Sequence, residues 1–496
     1  MRSLKRANSA RCSTLLVLGG LAALLCSLVR NSRTPCLVEV GTAAVDPDVL
    51  FNVVFWCLVL ACASLKVATR ERSSARAESR PMRESEPTRD MLLLRRRFLP
   101  VFWFFKMADW LQGPYFYDVY ISKVIDGEPA TTDLVARFFL TGFVSSALMG
   151  ALIGRLVDGR GRKAGSLAFT AFYALSALST RANSLPLLYA GRVAGGIGTS
   201  LLFSAPEAWF VGEHQRGGFD SQWLSDTFGL AYIGDSIVAI SAGQFAGLVA
   251  AQGGPSAPFM LSLLFLACGA MVVLATWREN TAATATSGVA SVDPKDRGVS
   301  IADAWRHIVA DPRILCVGAV QALFEGAMYI FVLQWPPAVI GVLPGQDVPF
   351  GKVFSCLMAS CMVGSSVFGP FTRIQPVEKA AAGMLLVAAV AMGIATNWSG
   401  SLPCVLTSFF LFEACVGFYF PAMGTLRSKY LPDSHRGVMM AMIRIPENII
   451  VVTVMLTIQG LGLQGSLACS TAALALAFLA MLRLCTLKGR AGGALA

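Results

Sequence analysis

The chain alternates long apolar runs with short polar breaks, and the runs recur at the length of a membrane-crossing helix. About 20 consecutive apolar residues cover a hydrocarbon core about 30 Å thick. From Phe98 onward the pattern predicts twelve such spans. Their limits fall near 98–120, 133–157, 164–181, 186–210, 226–250 and 257–277, then 312–337, 350–371, 377–396, 402–425, 436–459 and 463–485. Most breaks are short. The exception, 278–311, opens on the polar "RENTAATATSGVASVDPKDRG" and closes on "VSIADAWRHIVADP", whose spacing predicts an amphipathic surface helix. It acts as a cytosolic linker between one six-helix half (98–277) and another (312–485), with a cytosolic tail over 486–496.

Two further apolar runs lie upstream. "TLLVLGGLAALLCSLV" (14–29) follows a basic start with Arg2, Lys5, Arg6 and Arg11, so 1–48 reads as a targeting segment or a short span. "VLFNVVFWCLVLACASL" (49–65) reads as an extra transmembrane helix, and 66–97, rich in Arg and Glu, as a basic, disordered cytosolic linker. The expected fold class is an all-α integral membrane protein with a twelve-helix core and one or two N-terminal apolar helices.

Composition agrees. With 55% hydrophobic and 14% charged residues the chain falls well short of the quarter charged that a soluble domain carries. The net charge of +11 would suggest nucleic acid in a soluble protein. Here the Lys and Arg crowd loops on one side, as the positive-inside rule requires, and nucleic acid is not an expected partner. "GRLVDGRGRKAG" carries Arg155, Arg160, Arg162 and Lys163, and "LRSKYLPDSHRG" carries Arg427, Lys429 and Arg436. Both face the cytosol if the two ends of the twelve-helix unit do. The sequon Asn397-Trp398-Ser399 then falls on the opposite face, making Asn397 a glycosylation candidate. The 13 cysteines have no metal-site spacing, and most sit in apolar runs as small hydrophobes. No metal and no cofactor is called for.

The two halves repeat. Gly154 and Gly369, each ending a second span, stand 215 residues apart, as do Pro206 and Pro421 late in each fourth span. Asp109 and Glu325, each midway along a first span, stand 216 apart. A duplicated six-helix unit leaves such an offset.

Ionisable residues inside the spans follow the repeat. The first span of each half holds Lys106 and Asp109, then Glu325; the fourth, Arg192 and Glu207, then Glu413; the fifth, Asp235, then Arg444 and Glu447. The interiors of the third and sixth spans are almost wholly apolar or small. Charge within a bilayer faces the bundle interior or a wet cavity, so the pattern predicts a central aqueous cavity lined by the first, fourth and fifth helices of each half. Local pairing is the competing reading: Lys106 with Asp109, and Arg444 with Glu447, each at i, i+3. In "DWLQGPYFY", Trp110, Gln112, Tyr115 and Tyr117 offer hydrogen-bonding groups, and Gly113-Pro114 predicts a helix break, which survives in a bilayer only beside a cavity.

These residues also carry a resemblance. "GRLVDGRGRKAG" resembles the major facilitator signature between second and third helices, with Gly154, Asp158, Gly161, Arg162 and Lys163 in its slots; the resemblance implies an inner-gate loop. "GRVAGGIGTS" resembles the fourth-helix motif. The second-half loop "GPFTRIQPVEKA" keeps Gly369 and Arg373 but lacks the acidic residue. More specifically, "ADWLQGPY", "AGRVAGGIGTSLLFSAPEAWF", "QALFEGAMYIFV" and "FEACVGFYFPAMGTLRSKYLP" resemble the eukaryotic molybdate-anion transporter family over roughly 98–485. Pro206 stands where that family has phenylalanine and predicts a kink.

The resemblance implies a multi-pass cell-membrane protein that takes up molybdate, a tetrahedral dianion, by alternating access. A dianion at mid-membrane needs cations or aligned N–H donors. Arg192 and Arg444 lead, because a guanidinium fork matches an oxyanion better than a point charge, with Lys106 third and Gln112, Tyr115 and Trp110 as neutral donors. Asp109, Glu325, Glu413, Glu447, Asp235 and Glu207 then either carry a coupling proton or pair charges. A monomer is favoured. Two rivals stand beside this: the same scaffold moving sulfate, an organic anion or a sugar, or a non-transporting receptor derived from it. An enzyme is not expected, since His214, His307 and His435 fall in loops and no nucleophile or phosphate-cradle motif is present.

Overall fold

In the computed structural model the described residues are 46–77, 88–281, 306, 308–431 and 436–493. The possible targeting run at 14–29, His307, His435 and most of the linker after Thr281 lie outside them. An extra helix α1 (Pro47–Ala77) precedes α2 (Arg89–Trp110), a short α3 (Phe116–Ile121) and a two-stranded hairpin, β1 (Val124–Ile125) with β2 (Glu128–Pro129). Then come α4 (Thr132–Arg160), α5 (Arg162–Ser179), α6 (Leu185–Leu202), α7 (Ala205–Arg216), α8 (Ser221–Gly253) and α9 (Ala257–Thr276). The second lobe holds α10 (Pro312–Val342), α11 (Phe350–Thr372), α12 (Val377–Asn397), α13 (Leu402–Tyr430) and α14 (Arg436–Gly493). Gly462, at φ 63°, divides α14 into two segments.

Helix starts are fixed by side chains that satisfy free amides. Thr88 accepts from Met91 N at 3.3 Å, Thr131 from Leu134 N at 3.3 Å, Asp220 from Gln222 N at 3.0 Å and Asp311 from Arg313 N at 2.8 Å. Among the described residues nine helices are long and apolar enough to cross a bilayer. Those that fall short include α2 and the first segment of α14, which carry mid-span charges, and α6, which stops at Leu202.

Three local expectations can be compared directly. The first span breaks where Gly113-Pro114 predicts it, between α2 and α3, and the fourth breaks between Leu202 and Ala205, just before Pro206. The stretch 66–97, expected as disordered linker, is helical at both ends: α1 runs on to Ala77 and α2 begins at Arg89. Its many Arg, Lys, Glu and Ala residues are good helix formers, and the flanking spans supply the nucleus.

The lobes are built alike. In the first, α2 packs on α8 and α9, α4 on α6, and α5 on α6 and α9. In the second, α10 packs on α14, α11 on α13, and α12 on α13 and α14. The repeated pairing is what the 215-residue offset predicts. Between lobes, α8 meets α11 and α4 meets α14.

Interlobe contacts gather on one side. Gly243 and Gly351 bring α8 and α11 into backbone contact, and Ser355 Oγ donates to Ile240 O at 2.8 Å. Trp110 meets Phe354 at 6.0 Å, Tyr115 meets Phe350 at 5.9 Å and Phe143 meets Tyr329 at 4.9 Å. All lie away from the basic loops. The apolar core tells the same story: one cluster fuses the outer half of the first lobe with the whole second lobe, while the inner half of the first lobe has a core of its own. The lobes are therefore sealed on the outer side and part toward the cytosolic loops. Helix α1 rides on α11 through Asp48–Lys352 (3.0 Å), Cys356 Sγ to Phe51 O and Cys62 Sγ to Ala359 O (both 3.5 Å).

Candidate functional site

The mid-span charges of the first lobe neutralise one another. Lys106, 6% exposed, lies 3.6 Å from Asp235 on α8, and Trp110 Nε1 donates to the same carboxylate at 2.7 Å. The Lys106 ammonium also stands 4.6 Å from the ring centre of Phe203, a cation–π contact at the break between α6 and α7. The i, i+3 pairing expected of Lys106 and Asp109 is not what forms, because Lys106 turns to α8. Asp109 instead accepts from Tyr173 on α5. A third span read as featureless thus supplies a hydroxyl, and the signal was present: a buried tyrosine needs a partner for its O–H.

Arg192 is also engaged. Its Nε donates to Phe138 O at 3.1 Å, and the guanidinium lies 4.7 Å over the Phe116 ring. Gly142 makes room for it, since a Cβ there would lie 2.3 Å from Nη2. Gln112 is buried and donates to Ser262 on α9 at 3.1 Å, a helix–helix bond inside the lobe. Glu207 accepts from Tyr232 at 2.9 Å. Tyr115 sits against Phe350 in the outer seal.

The second lobe is arranged differently. Tyr419 donates to Glu325 at 2.9 Å, and Glu447 Oε2 is buried with no hydrogen-bond partner among the described residues. The Arg444–Glu447 ion pair expected at i, i+3 does not close to within 4 Å; Arg444 acts on Glu447 from a distance and its side chain is exposed. Glu413 is buried on α13 and forms neither hydrogen bond nor ion pair among the described residues. Of the three mid-span cations, Arg444 alone forms no hydrogen bond or ion pair among the described residues.

A half-open pocket of about 890 Å³ lies elsewhere, at the outer mouth. Asp46, Asp48, Asp118 and Asp347 line it against a single Lys352. That balance repels an anion.

At the inner end, Gly161 joins α4 to α5 at φ 129°. The Glu279 carboxylate lies over it and caps α5, accepting from Lys163 N at 2.8 Å and Ala164 N at 3.0 Å. Lys163 Nζ reaches Trp277 O at 2.8 Å, Arg162 N donates to Asn280 O at 3.0 Å, and Trp277 stacks on Trp209 at 3.8 Å. The loop is thereby bolted to the ends of α7 and α9 within its own lobe. Gly154 has open space around it, and the side chain of Asp158 is outside the described set. In the second lobe Glu378, at the end of "GPFTRIQPVEKA", is buried and holds Lys429 at 2.5 Å and Tyr430 at 2.7 Å. His214 is buried on α7, with Nε2 3.1 Å from Asp220 O, and Asn397, exposed, ends α12.

Two six-helix lobes sealed on one face and carrying charge at mid-depth define a membrane transporter of the major facilitator architecture. Residues 50–418 match the family MFS_5, described as sugar transporters with 12 TM helices, and the chain belongs to that family. It is 32% identical to the molybdate-anion transporter of Takifugu rubripes over 396 residues, 74% of this chain and 78% of the relative. The molybdate-anion transporter of Danio rerio is 30% identical over 430 residues, covering 80% and 85%. In fold it is similar to the nucleoside transporter NupG (TM-score 0.61, 11% identity, 79% of this chain and 99% of that one) and to a D-xylose-proton symporter (0.58, 13%, 79% and 96%).

Proposed function

We propose that the protein moves molybdate across the cell membrane by alternating access, with Arg444 as the primary anion contact. The observation that carries this is the exposed Arg444 side chain at mid-span, which forms no hydrogen bond or ion pair among the described residues. A planar fork of N–H donors suits a tetrahedral oxyanion. The names of the relatives supply the substrate. Lys106 and Arg192 are already held, by Asp235 and by Phe138 O, and stay in those pairs while Arg444 takes the anion. The acidic outer mouth adds nothing to anion binding, so affinity resides deeper. In proteoliposomes, Arg444→Gln should lower labelled molybdate uptake at least tenfold while the protein inserts normally. Uptake equal to that of the unmodified protein would sink the assignment.

The description of the family as sugar transporters favours one alternative, a neutral polyol as solute. Competition decides: sulfate or tungstate suppressing molybdate uptake supports the anion reading, whereas suppression by sugars alone supports the other.

A further inference from the structure

Two arginines at the inner end of the first lobe have no part in moving a solute. Arg97, near the start of α2, and Arg278, just past the end of α9, have exposed side chains, and neither forms a hydrogen bond or ion pair among the described residues. Trp277 brings them together. Its indole Nε1 donates to Arg97 O at 3.0 Å, its ring stacks on Trp209 at 3.8 Å, and Trp209 Nε1 donates to Arg278 O at 2.8 Å. The backbone on both sides of the α2–α9 seam is thus fixed, while the two guanidiniums are free to turn. Lys163 adds a third cation, its ammonium donating to Trp277 O at 2.8 Å. Against these stands the Glu279 carboxylate, which already accepts from the Lys163 and Ala164 amides. Asp90, two turns nearer the start of α2 than Arg97, has Arg89 beside it.

Away from this basic corner, toward mid-span, the seam is apolar. Arg97 and Phe104 stand two turns apart on one face of α2, and Phe104 meets Phe265 of α9 at 6.3 Å. Met271 and Leu274 of α9 are 60% and 61% exposed. On a helix long and apolar enough to cross a bilayer, such side chains lie against acyl chains. Loop charge that serves topology alone needs no such arrangement. Arg216 and Arg313, also at inner helix ends, are each neutralised at 2.7 Å, by Glu213 and Asp311.

We infer that Arg97 and Arg278 bind the headgroup of an anionic phospholipid, drawn from the leaflet on the side of the basic loops, with its acyl chains along α9. Cations at the head of an apolar seam match the order of a phospholipid, phosphate first and hydrocarbon beneath. Each guanidinium offers a planar fork of N–H donors to phosphate oxygens. A zwitterionic lipid would bring an ammonium to a corner that already holds three cations, so the site discriminates by headgroup charge. Bound there, the lipid ties the start of α2 to the end of α9 and stiffens one lobe. Near an anionic surface each arginine is worth about fivefold in affinity, so the pair is worth about 25-fold.

The test uses the purified full chain in neutral detergent, with equal amounts of phosphatidylserine and phosphatidylcholine of the same acyl chains, and reads retained lipid by native mass spectrometry. The unmodified protein should retain phosphatidylserine in excess. Arg97→Gln combined with Arg278→Gln should weaken that retention about 25-fold. Both side chains are exposed, so the variant should keep the Tm of the unmodified protein measured without lipid. Should it fail to fold, Arg278→Gln alone, outside any helix, should show a loss of about fivefold. Arg216→Gln with Arg313→Gln removes the same charge elsewhere and should leave retention unchanged. The site is wrong if the unmodified protein holds both lipids alike, if the Arg97 and Arg278 variant keeps its preference, or if the charge-matched variant loses it equally. Displacement of the lipid by water-soluble glycerophosphoserine at equal concentration also overturns it, because the ligand would then be a free phosphate ester. No arm depends on transport, so the carrier reading stands or falls separately.

Discussion

The outer seal depends on two glycines, and Gly351→Ala is its most direct perturbation. A Cβ on Gly351 would sit 2.3 Å from Gly243 O and 2.6 Å from Gly247 N, both backbone atoms of α8 that cannot rotate away. Relaxed contact needs about 3.5 Å, so α8 and α11 must separate by about 1 Å on that side. Overpacking of this kind costs typically about 1–3 kcal/mol. Because the contact exists only while the lobes are sealed outside, the cost falls on that state alone and shifts the equilibrium toward the outward-open form by roughly 5- to 150-fold. A reporter cysteine at Gln244, which lines the outer pocket, should react faster with a membrane-impermeant maleimide by that ratio. Gly247→Ala is the internal control. Its Cβ would meet Gly351 Cα at 3.7 Å, an ordinary contact, and should change nothing. Equal labelling of the Gly351→Ala and unmodified proteins, both monodisperse, would refute the seal.

Three more outcomes follow from pairings inside the first lobe. Tyr173→Phe leaves the Asp109 carboxylate without its donor and should cost about 1–3 kcal/mol, read as a lower Tm; an unchanged Tm would mean that the bond carries no stability. Gly161→Ala combines a left-handed φ of 129° with a Cβ only 2.3 Å from Glu279 Cδ, so the loop must rearrange at a cost of about 1–3 kcal/mol; adding Glu279→Ala should recover part of the loss, and no recovery would show that φ strain is the whole effect. Burial holds the His214 imidazole below its usual pKa, so its neutral form is the one that fits α7. Stability from that neutral form is full above the unfolded value of about 6.5 and is lost as pH falls through the folded value. Tm should drop between neutral pH and about pH 5, and His214→Gln should flatten that slope.

The all-α class, the breaks at Gly113-Pro114 and before Pro206, and the helices that bear charge were legible in the sequence, because each rests on local composition or spacing. Partners were not. Lys106 and Asp109 sit one turn apart, yet Lys106 chooses Asp235 and Asp109 chooses Tyr173. Which residues meet is set by how helices pack, and α2 lies against α8 and α9. The same reason hid Glu279: it falls after the last span of its half, and only the folded lobe carries it back over Gly161. Glu378 escaped because its slot is shifted from the loop into the first turn of α12.

Repetition of a six-helix unit gives two lobes of similar shape, but the residues at matching helices have parted company, and that asymmetry divides the labour. In the first lobe the inner helices pair a cation with an anion, Lys106 with Asp235, and so leave no net charge to be altered by a passing solute. In the second lobe the matching helices carry Glu325 and Glu447 within electrostatic reach of each other, and Arg444, on the same helix as Glu447, forms no ion pair among the described residues. On the proposed reading a solute anion competes for that arginine without first breaking a salt bridge, and its arrival changes the field at the acids. Alternating access needs both behaviours. One lobe has to keep its charges fixed while the other responds to occupancy, because a carrier whose two lobes both lost their internal pairs on binding would have nothing rigid to close against. Exchanging the character of the lobes, by replacing Asp235 with Asn so that Lys106 becomes an uncommitted cation, should therefore tighten molybdate binding while slowing its release. A lower KM together with a lower kcat is the expected signature, and a rise in both would contradict the division.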